Sequence, residues 1–182
     1  MKFSILRTRI LGALDAIIGV VDKKPTHPGL ACVRITAEAN GNVQFAATNL
    51  VSGIRRIETS IEVTRAGVIA LNAHDLRDRM QKTDSDDVSI SLAKDSTRVA
   101  IRSGAMAFSM SAFPLDDVPS LASFGEGVAV ELPGVLVARA IGAVSNYAYQ
   151  GEDRPNQHQV RLRAVNARMV AEASDGHRVI MF

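Results

Sequence analysis

Residues 2–21, KFSILRTRILGALDAIIGVV, shape the interpretation of the whole chain. Residues 2–5 alternate polar and apolar side chains, which predicts a half-buried β-strand. From Thr8 the period becomes helical, and an apolar stripe runs along Ile10, Leu11, Leu14, Ile17, Ile18 and Val21. The opposite face carries small and lightly charged residues, namely Arg9, Gly12, Ala13, Asp15, Ala16 and Gly19. We therefore predict a strand and then a helix that packs on a sheet and turns its other face towards something large.

The same order of strand and helix recurs twice along the chain. Residues 128–132 predict a strand, and Pro133 opens a helix whose apolar side carries Leu136, Val137, Ala140, Ile141 and Val144. A weaker copy combines a strand at 67–71 with a short helix that Asn72 caps and that contains Leu76 and Met80. Further strands are predicted at 30–37, 42–48, 53–63, 88–92, 97–101, 107–112, 159–165 and 169–173.

Repeated units of a strand, a helix and further strands cannot each cover their own apolar helix face, so neighbouring units must share a core. We predict an α+β fold in which antiparallel sheets lie outside and paired helices lie inside. Residues 1–122 hold two units and form a first domain, whereas residues 123–182 hold one unit and form an incomplete second domain. Residues 179–182 are apolar, β-prone and without an evident partner, which favours a truncated chain. The alternative is an assembly of four chains with three units each.

Composition limits the class of protein. Apolar residues make up 47% of the 182 residues, which excludes a disordered chain. Cys32 is the only cysteine, so we expect a buried thiol in a strand and a reducing, cytoplasmic environment. No secretory signal is evident. The net charge is +2, but residues 1–34 carry six bases and two acids, an excess that can orient a protein weakly on a polyanion.

Sequence signatures of catalysis are missing. The chain has no P-loop, no G-x-G-x-x-G motif after a strand and no G-x-S-x-G motif. Its four histidines lack the spacing of metal ligands, and a lone cysteine cannot complete a zinc site. We therefore expect no enzyme activity, no metal and no cofactor.

Several short motifs occur in a fixed order. They are Met1-Lys2-Phe3, Lys24-Pro25-Thr26 with Pro28, Arg102-Ser103-Gly104 followed by Phe108-Ser109, and Ser174-Asp175-Gly176-His177-Arg178. In this order and spacing they resemble the N-terminal half of a bacterial β sliding clamp, the processivity subunit of DNA polymerase III. Members of that family have three clamp domains, and two chains close head to tail into a ring around duplex DNA.

The resemblance implies a set of DNA-binding residues. Lys24 lies where the family places a basic residue on a loop that touches DNA, and Gln150 and Arg154 lie in the equivalent loop of the next domain. Lys23, Arg7 and Arg9 can add positive charge. Such contacts to phosphates give affinity that does not depend on DNA sequence. For each base, the alternative is an ordinary solvated surface side chain.

The resemblance also implies two protein-binding surfaces. In the family, a cleft receives short linear motifs of the polymerase III catalytic subunit, the clamp loader, and repair and other polymerases. Half of that cleft corresponds here to Ser174, Gly176, His177, Arg178 and Val179. The strand with Phe108 and Met110 corresponds to the surface that meets the next chain of the ring, although Ala105, Met106 and Ala107 replace the basic residues that the family often has there. The alternatives are a turn histidine satisfied by Asp175 and plain sheet-core side chains.

Two functional hypotheses follow. The first is a processivity clamp, or an N-terminal portion of one, that encircles duplex DNA and tethers the replicative polymerase. The second is a clamp-like interaction module that binds partner peptides without encircling DNA, because the chain is short and its presumed ring interface lacks the usual bases.

Overall fold

The computed structural model describes residues 1–22, 25–94, 96–121, 130–151, 158–166 and 168–182. The chain divides into two compact units, Met1–Ser123 (unit 1) and Phe124–Phe182 (unit 2). Within the described residues, no helix combines the length and the apolar character that crossing a bilayer requires.

Unit 1 is built from short strands and two α-helices. The helices are α1 (Arg7–Ile17) and α2 (Ala73–Gln81). The strands are β1 (Lys2–Leu6), β2 (Cys32–Ala37), β3 (Val43–Thr48), β4 (Gly53–Glu58), β5 (Glu62–Arg65), β6 (Gly67–Asn72), β7 (Asp87–Leu92), β8 (Arg98–Ser103) and β9 (Met106–Ser111). Short 3₁₀ turns lie at Ile18–Val20, Pro28–Ala31 and Leu115–Asp117.

The strands of unit 1 form two antiparallel sheets. One has the strand order β5-β1-β7-β8-β9, and the other has the order β4-β3-β2-β6. Helix α1 contacts α2 as well as β3 and β4, and Phe3, Ile10, Leu14, Phe45 and Leu76 are fully buried in a common core. Each such side chain contributes roughly 1.5–3 kcal/mol by leaving water. The α+β prediction of sheets packed on paired helices is therefore confirmed for this unit.

Helix α1 buries more of its surface than the sequence predicts. Ala13 is fully buried together with Ile10, Leu14 and Ile17, so its expected place on the outward face was wrong. Position 13 is three residues after Ile10 and four before Ile17, and these spacings lie on one helix face. The buried stripe is wide because α1 contacts α2 and a sheet at the same time.

The segment 53–63, which the sequence predicts as one strand, contributes to two strands in the structure. Strand β4 pairs with β3 in one sheet, and β5 pairs with β1 in the other. Ser60, at φ +57°, interrupts the extended backbone between them, and the Ile61 N–H donates to the Gly41 carbonyl over 2.9 Å. The chain therefore changes sheets at this point, which a period-two pattern cannot report.

The N-cap prediction at Asn72 is confirmed. Its Oδ1 accepts a hydrogen bond from the Asp75 N–H at 2.9 Å, and Leu76 and Met80 of the same helix are buried. The cap satisfies one of the amide groups that the first turn leaves without an intrahelical partner.

The described part of unit 2 contains α3 (Gly134–Ser145), β10 (Arg161–Val165), β11 (Arg168–Ser174) and β12 (Val179–Met181). The strands form an antiparallel sheet in the order β10-β11-β12. Ala140 and Val144 of α3 are buried, but Leu136 is 56% and Ile141 36% exposed. The predicted apolar side of this helix is thus only partly covered.

Two predictions for unit 2 differ from the structure. They are the strand at 128–132, of which only residues 130–132 are described, and the absence of a partner for residues 179–182. Residues 130–132 form no strand, and residues 128 and 129 lie outside the described part of the chain. Residues 179–181 do have a partner, because β12 pairs with β11, and Ala171 and Phe182 exchange backbone hydrogen bonds of 3.0 and 2.9 Å. A tight turn at 175–178 joins the two strands of this hairpin.

Candidate DNA-facing and partner-binding surfaces

The outward face of α1 is open and has low relief. Gly12, Ala16 and Gly19 are exposed, and a methyl group on either glycine would meet no neighbouring atom within 4 Å. Packing inside unit 1 therefore does not require glycine at these positions. A face of this shape lets a large, smooth partner approach the helix backbone closely.

Arg9 is engaged inside unit 1. Its Nε donates to Glu58 Oε2 at 2.8 Å, and its Nη2 donates to the Thr59 carbonyl at 2.8 Å. Arg56 donates to the other oxygen of Glu58, also at 2.8 Å. Burial alone would raise the pKa of Glu58, but hydrogen bonds and charge from Arg56 and Arg9 outweigh it, so the pKa lies below its usual value. Arg9 therefore ties α1 to β4, and its DNA contact stays a prediction.

Arg7 is the first residue of α1 and is half-buried. Its backbone N–H donates to the Asp86 carbonyl at 2.7 Å, which fixes the start of the helix. Its side-chain Nε is buried and has no hydrogen-bond partner among the described residues. A buried donor without an acceptor is costly, but an Nε buried to this degree is closed to a phosphate group as well as to water, so the DNA contact of Arg7 stays a prediction.

The other predicted DNA contacts are described only in part. Lys23, Lys24 and Arg154 lie outside the described residues. Gln150 is exposed, and its Nε2 donates to the Ala148 carbonyl at 3.2 Å, a local bond that leaves the side chain at the surface. The sequence did not reveal an ion pair between Asp15 of α1 and Arg77 of α2, which joins the two helices beside the outward face.

The β11–β12 turn brings all five predicted cleft residues together. Gly176 has φ +87°, a left-handed conformation that glycine adopts without steric cost, and its N–H donates to Ser174 Oγ at 3.1 Å. His177, Arg178 and Val179 follow it and are exposed. The turn therefore presents an imidazole, a guanidinium and an apolar side chain side by side.

Asp175 organises this turn, a role that the motif alone did not reveal. Its Oδ1 accepts the N–H groups of His177 at 2.9 Å and Arg178 at 2.7 Å, and its Oδ2 lies 3.1 Å from Arg178 Nη2. These backbone bonds first, and the Arg178 guanidinium after them, lower the pKa of Asp175 to about 2. Asp175 binds the backbone of His177, so the imidazole is left exposed. An aspartate directly before a glycine is a typical signal for such a turn.

Phe108 and Met110 lie on β9, the edge strand of the five-stranded sheet. Met110 is only 5% exposed and belongs to the core, as the alternative interpretation holds, whereas Phe108 is half-buried. The guanidinium carbon of Arg79 lies 5.3 Å from the centre of the Phe108 ring. Arg79 of α2 thus places a positive charge near β9, although Met106 and Ala107 of that strand are uncharged. The ring-interface role of both residues stays a prediction.

Two features of the described residues bear on metal binding and thiol reactivity. No group of three histidine, cysteine or acidic side chains there could hold a metal ion. Cys32 is 2% exposed, its Sγ lies 3.7 Å from the Pro28 carbonyl oxygen, and burial raises its pKa to about 11. The thiol therefore behaves as a small core side chain.

The folded chain is similar over its whole length to solved bacterial sliding clamps. The structure of Caulobacter crescentus pol III beta matches 100% of this chain with a TM-score of 0.85 and 27% identity, and the match covers 49% of that chain. A DnaN sliding clamp from Bartonella birtlesii, solved with bound griselimycin, matches 100% of this chain and 49% of its own, with a TM-score of 0.86 and 25% identity. The architecture is that of the sliding-clamp class.

Sequence comparison is more specific. The beta sliding clamp of Caulobacter vibrioides is 28% identical in an alignment of 186 positions that covers 100% of this chain and 50% of that protein. The Bacillus subtilis clamp is 24% identical over 188 residues, or 49% of its length. The chain therefore spans about half the length of the curated relatives it matches. Residues 1–122 match the family described as DNA polymerase III beta subunit, N-terminal domain, so the chain belongs to that family.

Proposed function

We propose that this chain serves in a processivity clamp that encircles duplex DNA and tethers the replicative polymerase. The observation that carries the proposal is the similarity of the entire chain, in sequence and in fold, to the pol III beta clamp of Caulobacter. The open face of α1 is compatible with it, because a ring that slides needs a smooth inner surface without bulky side chains.

In this proposal the DNA contacts are electrostatic. Arg7, Lys23, Lys24 and Arg154 face phosphates, and Gln150 adds a neutral hydrogen-bonding group. Arg7 is half-buried, so such a contact would use the exposed part of its side chain. Arg9 contributes long-range charge while it holds Glu58. Contacts of this kind hold DNA without reading bases, so the clamp can move along any sequence.

Partner proteins bind at the β11–β12 turn through short linear motifs. The proposed partners are the polymerase III catalytic subunit, the clamp loader, and repair and other polymerases. Val179 offers an apolar contact, and the exposed His177 and Arg178 offer polar contacts. The Bartonella clamp was solved with griselimycin bound, which supports the idea that clamps of this family carry a ligand-binding surface.

Ring closure uses the outer edge of β9, which is the last strand of its sheet among the described residues. A strand of another chain can add to this edge through backbone hydrogen bonds, with Phe108 and Met110 at the junction. We assign residues 1–122 to a first clamp domain and 123–182 to the first half of a second. The protein acts in the bacterial cytoplasm, as a tether without catalytic activity and without a cofactor.

Retention on DNA of different topology tests the clamp. The assembled protein is loaded on nicked circular DNA and separated from free protein by gel filtration. We expect it to stay on the circle and to be lost after one cut makes the DNA linear, since a ring slides off free ends. Equal retention on linear DNA with free ends would contradict the proposal.

The second candidate is an interaction module that binds partner peptides but never surrounds DNA. It is favoured by one observation, the uncharged residues Ala105, Met106 and Ala107 beside the proposed ring contact. Sedimentation equilibrium over a range of concentrations separates the two. A defined assembly large enough to close a ring supports the clamp, whereas a monomer at all concentrations supports the module.

A further inference from the structure

Unit 1 has a groove that is separate from the β11–β12 turn. It has a volume of about 360 Å³ and is lined by His27, Leu30, Leu50, Asp116, Asp117 and Pro119. We call it the acidic groove. Three segments that are far apart in sequence build it, namely the 3₁₀ turn Pro28–Ala31, the β3–β4 hairpin and the 3₁₀ turn Leu115–Asp117.

The floor of the acidic groove is rigid. A side chain at Gly29 would collide with the Asp117 carbonyl oxygen, so the two 3₁₀ turns touch through their backbones. Val118, directly after Asp117, is 5% exposed and packs in a small cluster with Cys32 and Ala70. Leu30 is 6% exposed and forms the apolar floor of the groove. The groove is therefore formed before any ligand arrives, which lowers the entropic cost of binding.

One rim of the groove is an apolar residue at the tip of a hairpin. Leu50 is 70% exposed and has φ +73°, a left-handed conformation that leucine rarely adopts. Its N–H donates to Thr48 Oγ1 at 3.0 Å, and Asn49 Oδ1 accepts from Val51 and Ser52 at 3.1 and 2.7 Å. These bonds hold the tip in one conformation and keep Leu50 over the groove.

The other rim is negatively charged. Asp116 and Asp117 are both exposed, and neither forms an ion pair with any residue that the structure describes. Residues 105–133 carry four acids and no lysine or arginine, so no base nearby in sequence neutralises them. These two carboxylates attract cationic groups.

We propose that the acidic groove binds an extended peptide segment of a partner protein that carries one large apolar side chain between basic residues. The apolar side chain packs on Leu30, Leu50 and Pro119, and its neighbouring lysines or arginines face Asp116 and Asp117. Charge complementarity selects this occupant. The groove combines an apolar floor with two carboxylates that form no ion pair among the described residues, and such a peptide combines an apolar side chain with neighbouring cations. This gives the protein a partner surface in addition to the one proposed at the β11–β12 turn.

The probe is a nine-residue peptide with a central leucine flanked on each side by two lysines, and glycines elsewhere. It is titrated into the ¹⁵N-labelled full chain, and amide shifts are followed by NMR. We expect the largest shifts at Leu50, Asp116 and Asp117, and an affinity that falls as salt is raised. Two control peptides replace the lysines by glutamates or the leucine by serine, and both should bind at least tenfold more weakly.

Two pairs of variants separate binding from folding. Leu50→Asn should weaken peptide binding about tenfold without lowering stability, since asparagine tolerates a left-handed backbone. Val51→Asn is its control at the same tip, because Val51 is 92% exposed and does not line the groove. The double change Asp116→Asn and Asp117→Asn should also weaken binding about tenfold, whereas Glu62→Gln with Asp78→Asn, two exposed acids elsewhere in unit 1, should not.

Several outcomes would overturn the proposal. They are equal binding of the glutamate peptide, shifts confined to residues 174–179, and equal effects of Leu50→Asn and Val51→Asn. Self-association of the chain that Leu50→Asn abolishes without any peptide would also overturn it, because the occupant would then be a second copy. The clamp proposal depends on retention on circular DNA, so either proposal can fail without the other.

Discussion

Asp175 shows how one side chain can hold the β11–β12 turn in shape. Its carboxylate accepts two backbone N–H groups and pairs with Arg178, and its pKa is lowered from 3.8 to about 2. A carboxyl group whose pKa is depressed by folding stabilises the fold above its unfolded pKa, and this contribution is lost as the pH falls. The turn that carries His177 is therefore ordered at neutral pH and loosens in acid.

We expect the His177 and Arg178 amide shifts to titrate together with a midpoint near pH 2, well below the ordinary value for aspartate. NMR spectra recorded from pH 6 down to about pH 1 cover this midpoint on both sides. In Asp175→Asn the amide oxygen can still accept the backbone bonds, so the turn should persist while the titration disappears. A midpoint near 3.8 in the unaltered chain would contradict the inferred role of the backbone bonds.

Cys32 should be chemically inert in the folded chain. It is buried and its pKa is raised to about 11, so only about one thiol in ten thousand is ionised at pH 7. Labelling with an aromatic disulfide reagent should therefore follow unfolding and become fast in urea. Fast labelling of the native chain would show that the site opens locally.

Helix α1 provides a test at the level of a secondary-structure element. Ala13 is fully buried and Ala16 is exposed on the same helix. We expect Ala13→Leu to lower the free energy of unfolding by about 1–3 kcal/mol, because added methyl groups have no room in a packed core. Ala16→Leu should change it by less than about 0.5 kcal/mol. Urea unfolding of both variants measures the difference, and equal effects would contradict the burial of Ala13.

The contact between α1 and β4 depends on a charge cluster. Glu58 binds Arg9 and Arg56, and its pKa is lowered, so its contribution is present at neutral pH and lost as the pH falls. Glu58→Gln should lower the free energy of unfolding by about 1–2 kcal/mol at pH 7 and by less at pH 3. Glu62→Gln, at an exposed acid, is the matched control. A loss that does not change with pH would show that the charge of Glu58 is unimportant.

For the whole molecule, the proposed DNA contact predicts a salt dependence. Arg7→Gln should weaken binding to DNA of any sequence and reduce the slope of log affinity against log salt by about 1, because one phosphate contact is lost. Arg102→Gln removes an exposed base from β8, on the sheet side away from the core, and should leave the slope unchanged. Fluorescence anisotropy at several salt concentrations measures both slopes. Equal slopes for the two variants would remove Arg7 from the DNA surface.

Local patterns in the sequence predicted much of unit 1. The change from period two to helical spacing located β1 and α1, and an asparagine followed by Asp75 predicted the cap of α2. The burial of Cys32 also followed from its place in a strand. These features could be predicted because they depend on which side of a short segment faces the core, and the spacing of side chains records that directly.

Contacts between distant residues came only from the tertiary structure. The split of 53–63 between two sheets and the Arg9–Glu58 pair across 49 residues leave no periodic trace. The acidic groove is the clearest case, since residues 27–30, 50 and 116–119 are far apart in sequence and lie together only in the folded chain. Side-chain spacing thus determined the elements and their buried faces, whereas strand pairing and backbone close approach decided which surfaces those elements build together.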